Sequence, residues 1–358
     1  MSEDFSKIMV EQVGRLFERQ VSKDVLTLAD HGEWPQGLWH AVSEAGLPHA
    51  MVAEASGGLG LAPADAMSLM RRMGYNALPL PLAETMVASH LWVEAGGSPL
   101  DGPATFAPVT ADDRIAIAFN RGGATLSGTA RHVPWGGDVR HLIIFARDEG
   151  GQGYLVNVTR DVIATSRRRR NVAYEPRDNL QLDQVRVPLD AVAKVASDQD
   201  EDGLLLCMAA IRVQQMVGGM ERALDYALTY ANERVQFGRP IGKFQAIQHM
   251  LAIAAGHFAA ASAAADAMAE GEKFAHDRFA VAVAKSRCGE AAGHVAAACH
   301  QVHGAMGFTH EHALHFTTRR LWSWRDEGGS ESYWQEWIGR RICAMGGEAL
   351  WPIITGTR

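Results

Sequence analysis

Cysteine is scarce in this sequence, and its scarcity excludes a disulfide scaffold. Only four cysteines occur among the 358 residues; they lie far apart and none forms a CxxC pair. Small secreted scaffolds instead carry many cysteines at close spacing. The four are Cys207, Cys288, Cys299 and Cys343. Because sparse, unpatterned cysteines fit a reducing compartment, we expect a cytoplasmic protein.

Long hydrophobic runs and an excess of basic charge are also missing. No continuous apolar run approaches the roughly 20 residues that cross a bilayer. The N-terminal sequence MSEDFSKIMVEQ does not resemble a signal peptide. The formal net charge of −7 gives no overall attraction to nucleic acid. We therefore expect neither membrane insertion nor nucleic-acid binding.

What is present is a globular composition, 47% apolar and 21% charged, in a chain long enough for two or three domains. Helix-type spacing predicts a helical domain over residues 1–104, and short strand-like runs predict a β domain over residues 105–198. Long helices predict an antiparallel four-helix bundle over residues 199–358. Its helices are predicted at residues 202–233, 244–270, 275–303 and 331–347. The predicted fold class is mainly α with a middle β domain.

Three segments, in a fixed order along the chain, together resemble one known family. Residues 231–252 have the sequence ANERVQFGRPIGKFQAIQHMLA, residues 301–309 have QVHGAMGFT, and residues 54–60 have EASGGLG. Each resembles a signature of the acyl-CoA dehydrogenases, and the resemblance spans nearly the whole chain. It implies an N-terminal helical domain, a middle β-barrel-like domain and a C-terminal four-helix bundle, assembled as a dimer of dimers.

The resemblance also implies a cofactor and a reaction. Such enzymes use FAD to oxidise an acyl-CoA thioester: a carboxylate removes the proton α to the thioester, and a hydride passes from the β-carbon to flavin N5. An electron-transfer flavoprotein or a similar acceptor then takes the electrons. Each flavin is shared, because one subunit holds the ring while the C-terminal bundle of its partner reaches the ADP end.

The residues implied for the ADP end are largely present. Arg234 offers the planar cationic fork that suits a pyrophosphate, and Ala305 replaces the second glycine of the family pattern. As an alternative, Arg234 is a helix-end cation that interacts with the helix dipole. The full set of matching positions is Arg234, Gln236, Phe237, Ile241, Phe244, Gln245, Gln301, Gly304 and Ala305.

The residues implied for the flavin ring are poorly represented. The acidic glycine-rich loop of the family has no counterpart after the strand-like run Ile115–Phe119, which leads directly to Asn120–Gly123. The family's tryptophan-containing contact falls on His132–Pro134. Trp135 fits a core or turn position. We therefore expect that this subunit does not hold a flavin ring itself.

The two positions that carry the catalytic base in the family fall on Gly328 and Met208, and neither residue accepts a proton. Ser330 is a candidate for the flavin or phosphate contact that a threonine makes in the family. A shift of one residue gives Glu327 as an alternative base, ahead of Asp326 and Glu331. The structural alternative for the acidic pair is a solvated turn partnered by Arg325, or a charge at the start of the next helix.

Two further patterns have structural and functional interpretations. His303, His310, His312 and His315 lie close in sequence, but without acidic or cysteine ligands at zinc-site spacing we expect no metal. Arg167–Arg170 fits a solvated hairpin edge; the functional alternative is attraction of a CoA phosphate or an acidic partner.

Three functions follow from these observations. The favoured one is a subunit of a heteromeric acyl-CoA dehydrogenase, similar to the short subunits without a base in bacterial enzymes that oxidise CoA-activated steroid side chains. Residues 79–84 and 319–326 favour that branch. The second is a self-sufficient homomeric dehydrogenase that uses Glu327. The third is a flavin-free scaffold or CoA-ester-binding paralogue.

Overall fold

The computed structural model describes residues 3–195 and 201–355, and its first part is helical. The amphipathic pattern of this part forms helices whose apolar faces meet in one core that includes Phe17, Met67 and Met86. Ser22 caps the second helix by accepting a hydrogen bond from the Val25 amide at 3.3 Å. The helices are α1 (Glu3–Gln20), α2 (Lys23–Asp30), α3 (Gln36–Glu44), α4 (Pro63–Tyr75) and α5 (Leu82–Glu94).

The middle part is an eight-stranded sheet with strand order β6-β7-β3-β2-β4-β5-β8, in which β1 pairs in parallel with β4. Its apolar residues form a second core that includes Leu126, Leu142 and Val156. The strands are β1 (Ala104–Ala107), β2 (Ile115–Asn120), β3 (Gly123–Pro134), β4 (His141–Arg147), β5 (Gly153–Thr159), β6 (Ala164–Arg167), β7 (Arg177–Val187) and β8 (Val192–Lys194). The sheet carries one wall of the cavity described below.

The last part is a bundle of long helices with a short hairpin after the first of them. The first helix, α6, runs through the centre of the molecule and packs against both the N-terminal helices and the rest of the bundle. The elements are α6 (Glu201–Glu233), β9 (Val235–Gln236), β10 (Arg239–Pro240), α7 (Gln245–Ala269), α8 (Arg278–His303), α9 (Leu314–Asp326), α10 (Glu331–Met345) and α11 (Leu350–Thr355).

Glycine allows α4 and α6 to touch. A Cβ atom at Gly218 would lie 1.9 Å from the backbone oxygen of Arg71. No side chain fits at that distance, so glycine at this position fixes how closely the N-terminal helices approach the bundle.

The predicted mainly α fold with a middle β domain is confirmed, with α9 and the short α11 missed in the C-terminal part. Helix α9 was not predicted because its sequence LHFTTRRLWSWRD has no clean apolar period, and its Arg320 is buried by ion pairing rather than excluded from the core. Strand β1 begins at Ala104, the last residue of the predicted N-terminal domain. The predicted boundary at residues 198–199 lies outside the described residues.

Two described helices, α6 and α7, are long and apolar enough to cross a membrane by length and composition alone. Most of the apolar window of α6 is buried inside the protein, which is typical of a core helix. Helix α7 contacts α8 through Ala254, Ala261 and Ala265, and its opposite face is exposed. Polar residues such as Arg212 and His257 interrupt these helices, which is why no continuous apolar run marks them in the sequence.

Candidate functional site

A cavity of about 580 Å³ lies between the sheet and the bundle. The sheet contributes residues 109–111, His132 and Pro134, and the bundle contributes Met208 and the turn that joins α9 to α10. Its volume is in the range of small-molecule sites. Met208 and Gly328, the two positions implied for a catalytic base, both lie on its wall.

Gly328 is closed off by the backbone of α6. It has a φ of +68°, and a Cβ atom there would lie 2.6 Å from the amide nitrogen of Ala209 and 3.0 Å from the carbonyl carbon of Met208. Both the left-handed backbone and the missing space exclude a side chain. Met208 itself is buried against the same contact. Position 328 therefore has no room to direct a carboxylate into the cavity without moving α6, whereas Met208 lines the cavity with a thioether side chain that accepts no proton.

Glu327 is held by two buried arginines. Its Oε1 accepts from Nε of Arg177 at 2.8 Å, and its Oε2 accepts from Nε of Arg212 at 2.7 Å and from Nη2 of Arg177 at 2.9 Å. Nδ2 of Asn171 donates to Oε1 at 2.9 Å. Both carboxylate oxygens are therefore occupied by donors from the sheet and from α6.

The surrounding charges make Glu327 a weak proton acceptor. Burial favours the protonated form, but Arg177 and Arg212 outweigh it and lower the pKa of Glu327 to about 2. A general base works best when its pKa lies near the operating pH and its oxygen reaches the proton. The geometry therefore favours a structural role for Glu327.

The same ion network joins all three parts of the chain. Arg212 also donates to Glu84 of α5 at 2.8 Å, and Arg177 donates to Glu175 at 2.8 Å. Arg320 of α9 completes the network by donating to Glu175 at 3.1 Å. Three carboxylates and three guanidinium groups thus compensate one another in the interior, where an unpaired charge is costly.

The turn between α9 and α10 is fixed by hydrogen bonds to the bundle helices that surround it. Nζ of the buried Lys285 donates to the carbonyl oxygens of Arg325 at 2.6 Å and Gly329 at 2.7 Å. Nε1 of Trp334 donates to the carbonyl oxygen of Gly328 at 2.8 Å. The hydroxyl of Ser330 accepts from the Tyr333 amide as the N-cap of α10.

The structural alternative for the acidic residues of this turn holds only in part. Asp326 is exposed at the cavity rim, as a solvated turn predicts. Glu327, however, is largely shielded, with its side chain 16% exposed, and its partners are distant in sequence rather than the neighbouring Arg325. Arg325 instead pairs with Glu331 at 2.6 Å. Glu331 lies in the first turn of α10, where a carboxylate is favourable.

The sheet side of the cavity contains residues that the sequence pattern did not indicate. The wall is formed by Val109–Ala111, which follows β1, whereas the sequence comparison sought the flavin loop after β2. His132 and Pro134, by contrast, belong to the segment on which the sequence pattern placed the family's flavin contact, and both line the cavity. His132 has a φ of +55° at an irregularity in β3. Trp135 is buried and makes an edge contact with Trp34, as expected for a core or turn residue.

The arginine run lies beside the cavity mouth. Arg168 pairs with Asp138 at 2.7 Å and with Asp178 at 3.1 Å, and Arg170 donates to the carbonyl oxygen of Asp30 at 2.7 Å. Arg169 lines the cavity. The run follows the edge strand β6, so part of it matches the predicted charged hairpin edge.

The residues implied for the ADP end lie together at the far end of the bundle. Arg234 and Gln236 are exposed on the β9–β10 hairpin, and the side chain of Phe237 is 93% exposed. Ile241 and Phe244 are half-buried beneath the hairpin, while Gln245 is exposed at the start of α7.

The second ADP segment lies beside this hairpin. Tyr230, one turn before Arg234, stacks on His303 with ring centroids 4.6 Å apart, so the ends of α6 and α8 are adjacent. Gln301, Gly304 and Ala305 are exposed there, and nothing lies within 4 Å of a Cβ built at Gly304. The sequence-predicted ADP residues are therefore brought together on one open surface.

The two parts of the candidate site are too far apart to serve one cofactor within this chain. Along α6 the stretch from Met208 to Arg234 is roughly 39 Å long, at 1.5 Å rise per residue. A dinucleotide that contacts Arg234 therefore has its other end outside this chain's own cavity.

The four histidines considered for a metal do not converge. The described residues contain no group of three or more histidine, cysteine, aspartate or glutamate side chains arranged to hold a metal ion. Ring contacts instead dominate: His303 lies 4.5 Å from His312, and His310 lies 5.2 Å from His315.

Helices at both ends of a central sheet, with a cavity between sheet and bundle, define a three-part class of enzyme fold that solved structures share. The crystal structure of the ChsE4-ChsE5 complex from Mycobacterium tuberculosis gives a TM-score of 0.86 at 21% identity, covering 96% of this chain and 98% of that one. A Tcur3481-Tcur3483 steroid ACAD variant gives 0.84 at 24% identity, covering 95% and 98%.

Sequence models identify the family within this class. Residues 4–98 match the acyl-CoA dehydrogenase N-terminal domain, and residues 206–343 match the acyl-CoA dehydrogenase C-terminal domain. The two matches flank the sheet and together cover well over half of the chain. The chain belongs to the acyl-CoA dehydrogenase family.

Relatives within the family differ in their named reactions. Acyl-CoA dehydrogenase IpdE2 of Mycolicibacterium smegmatis is 25% identical over 330 residues, which cover 89% of this chain and 93% of the relative. A 3-sulfinopropanoyl-CoA desulfinase of Paraburkholderia xenovorans is 32% identical over 237 residues, covering 62% and 60%. Membership alone therefore leaves the substrate to be argued from the site.

Proposed function

We propose that this chain is one subunit of a heteromeric, FAD-dependent acyl-CoA dehydrogenase, and that it contributes the ADP half of a shared cofactor site to a homologous catalytic partner. The observation that carries the proposal is the contact between Gly328 and the backbone of Met208 and Ala209. It leaves no room for a carboxylate at Gly328, and the other family base position carries the thioether of Met208, which accepts no proton. The partner then supplies the base and the pocket for the flavin ring.

The exposed end of the bundle fits the ADP half of FAD. Arg234 and Gln236 offer donors on a hairpin that is open to solvent, and Phe237 offers an aromatic face. Gly304 leaves the backbone open to a close approach. These residues bind the pyrophosphate and nucleoside and thereby orient the cofactor. When bound, FAD accepts the hydride that leaves the β-carbon of the substrate.

This chain's own cavity fits the flavin ring poorly. The acidic glycine-rich loop is absent, and Val109–Ala111 form the wall instead. The hydroxyl of Ser330, the candidate for a flavin or phosphate contact, is already used as the N-cap of α10. We therefore assign no reaction step to this cavity.

Several features support partners and a bulky substrate. The exposed apolar face of α7 suits burial against another subunit, as a dimer of dimers requires. One structural relative is described as a complex and another as a steroid ACAD, which supports a heteromer that acts on a steroid or other bulky acyl-CoA. An electron-transfer flavoprotein or similar acceptor completes the reaction. The cysteines are all free, which is consistent with a reducing cytoplasm.

One pair of preparations tests the proposal. The chain is purified alone and together with the product of a homologous neighbouring gene, and flavin content and acyl-CoA oxidation are measured in both. We expect flavin and turnover only in the joint preparation. Full flavin occupancy and turnover in the lone chain would overturn the heteromer. Absence of flavin from both preparations would favour the flavin-free scaffold or CoA-ester-binding paralogue.

Matched variants in the joint preparation test the ADP contact. Arg234→Ala removes the cationic fork, so we expect flavin content to fall. Arg121→Ala removes an exposed arginine on the β2–β3 turn and is the control, with flavin content unchanged. Equal flavin content in the two variants would remove Arg234 from the cofactor site.

The homomeric alternative is tested separately in whatever preparation shows turnover. If Glu327 is the base, Glu327→Gln abolishes turnover in protein that is still folded; under our proposal the folded variant keeps its turnover. Asp326→Asn applies the same test to the exposed carboxylate at the cavity rim.

A further inference from the structure

The ADP segment rests on a group of packed imidazoles. His300 and His303 end α8, His312 precedes α9, and His315 lies in its first turn. The short 3₁₀ helix Gly304–Phe308 lies between them, and it carries two of the residues that we assign to the cofactor. The ring of His300 stacks on Phe308 at 4.4 Å, so this corner is held largely by imidazole contacts.

The hydrogen bonds of three of these imidazoles favour the neutral form of the ring. Nδ1 of His303 donates to the carbonyl oxygen of Cys299, and Nδ1 of His315 donates to the carbonyl oxygen of His312, both at 2.7 Å. His300 Nε2 bonds to the hydroxyl of Thr318 at 2.8 Å. The other ring nitrogen of each of the three is buried and has no partner among the described residues. A second N–H on any of them would have no acceptor there.

His312 must also be unprotonated for a different reason. Its Nδ1 accepts a hydrogen bond at 3.1 Å from the amide of Leu314, the first residue of α9. The ring lone pair thereby satisfies the first amide of α9, one of the amides at a helix start that lack an intrahelical partner, from the position before the N-cap Ala313. A proton on Nδ1 removes the acceptor and places a positive charge beside the positive end of the helix dipole.

In the described part of the chain, the charged groups that act on His312 include no carboxylate that would compensate such a charge. From α2, the ammonium of Lys23 lies near the ring and donates to the carbonyl oxygen of Glu311. Asp30, also on α2, is already paired with Arg319 of α9.

The side chains that α6 contributes are aromatic or cationic. Tyr226 makes an edge contact with the ring of His312, and the guanidinium of Arg222 lies over Tyr226. Burial lowers the pKa of His312 to about 4; the charge of Lys23 adds to this, as His303 and His315 do when they are protonated. Burial also lowers the pKa of His300, His303 and His315.

We propose that His312 is a positioning residue for the cofactor half-site: while neutral it holds the corner that carries Gln301 and Gly304, and its protonation opens that corner. The effect on cofactor rests on the function proposed above, whereas the opening of the corner does not. The corner is fully stabilised above pH 6.5, the ordinary value for histidine, and loses stability as the pH falls towards 4 because the open form binds more protons. For His312 alone, the population of the open form rises about 20-fold between pH 7 and pH 5.

Hydrogen–deuterium exchange of the amides in residues 304–314 measures the opening in the full chain, with or without its partner. After correction for the intrinsic pH dependence of exchange, we expect a rise of about 20-fold from pH 7 to pH 5. In His312→Asn the side-chain amide oxygen can still accept the hydrogen bond from the Leu314 amide, but it does not titrate. The rise in exchange rate between pH 7 and pH 5 therefore becomes much smaller. The control is His40→Asn, at an exposed site whose ion partner is Glu44, and it keeps the wild-type response.

Two results would overturn the proposal: equal protection of these amides at pH 7 and pH 5 in the wild type, or the same pH response in His312→Asn. If that variant does not fold, titration of the imidazole C–H resonances of the wild type decides. A midpoint for His312 below pH 5 supports the proposal, and a midpoint near 6.5 contradicts it.

A second measurement separates this proposal from the proposed function. In the joint preparation, flavin retention is followed from pH 7 to pH 5 for the wild type and His312→Asn. Loss of flavin in parallel with the opening supports both proposals. Opening of the corner in a preparation that never carries flavin supports the role of His312 in the corner and contradicts the cofactor assignment.

Discussion

Replacing Glu327 by glutamine removes the central carboxylate of the interdomain network without changing the size of the side chain. Arg177 then keeps only Glu175 as an ion partner, and Arg212 keeps only Glu84. The network changes from balanced charge to one excess positive charge, buried at the junction of the three parts. We expect the variant to fold but to be clearly less stable than the wild type.

Two estimates of the magnitude agree. Removing one member of a buried ion pair costs about 3–5 kcal/mol. Lowering the pKa of Glu327 from 4.5 to about 2 stabilises the folded state by about 3 kcal/mol at neutral pH, since each pKa unit is worth about 1.4 kcal/mol. We therefore expect a loss of about 3 kcal/mol in the free energy of unfolding at pH 7.

Urea denaturation followed by tryptophan fluorescence is the assay. With an m-value of about 3 kcal/mol/M, the midpoint of Glu327→Gln shifts down by about 1 M. Asp326→Asn changes the exposed neighbouring carboxylate and is the control, with a midpoint within experimental scatter of the wild type. A depressed carboxyl pKa stabilises the folded state above pH 4.5, and this contribution is lost as the pH falls towards 2. The difference between wild type and Glu327→Gln should therefore fall to about half by pH 3.

The result that would refute the reasoning is a Glu327→Gln midpoint equal to that of the wild type at pH 7. A stable, folded variant without turnover would go further, because it would return Glu327 to the role of catalytic base. Combining Glu327→Gln with Arg177→Met adds a check. The double variant should regain part of the lost stability, because one uncompensated guanidinium group has been removed.

Three further predictions concern other parts of the site. Gly328→Ala places a Cβ atom 2.6 Å from the amide nitrogen of Ala209 at a φ of +68°, so we expect a lower melting temperature, corresponding to about 2 kcal/mol or more. Lys285→Met removes an ammonium group whose pKa is lowered to about 8 by burial. The wild type should gain stability between pH 8 and pH 10.5, because its unfolded form still binds that proton in this range. Urea titrations of the variant should lack this gain. Gly218→Ala forces α4 away from α6, since its Cβ would lie 1.9 Å from the Arg71 oxygen, and should lower the melting temperature more than Gly37→Ala, where nothing lies within 4 Å.

The sequence predicted the parts of the fold that follow from local periodicity. The predicted helices at 202–233 and 244–270 correspond closely to α6 and α7, because long apolar or alanine-rich segments form helices wherever they pack. The alternating strands of the sheet were equally visible. The residues that we propose for the ADP end could be named from the sequence because they lie in two continuous segments whose order and spacing are specific.

What the sequence did not predict depends on contacts between distant residues. The ion network joins Glu84, Arg177, Arg212 and Glu327, which are 35 to 115 positions apart along the chain from one member to the next. Each arginine alone is typical of the surface, and only the fold makes it a buried partner. The cavity wall at Val109–Ala111 was missed for the same reason, since no local pattern says which strand end faces the bundle.

The absence of a base at position 328 goes with several linked contacts of the turn rather than with one isolated substitution. Gly328 needs its positive φ to turn the chain against α6, and that turn directs the preceding side chain, Glu327, into the arginine pair. The carbonyl oxygens of the turn are used by Lys285 and Trp334. A glutamate placed at 328 would therefore collide with α6 instead of reaching the cavity. Regaining a base at position 328 requires the turn, the network and α6 to change together, which is consistent with the proposed partner that supplies the base.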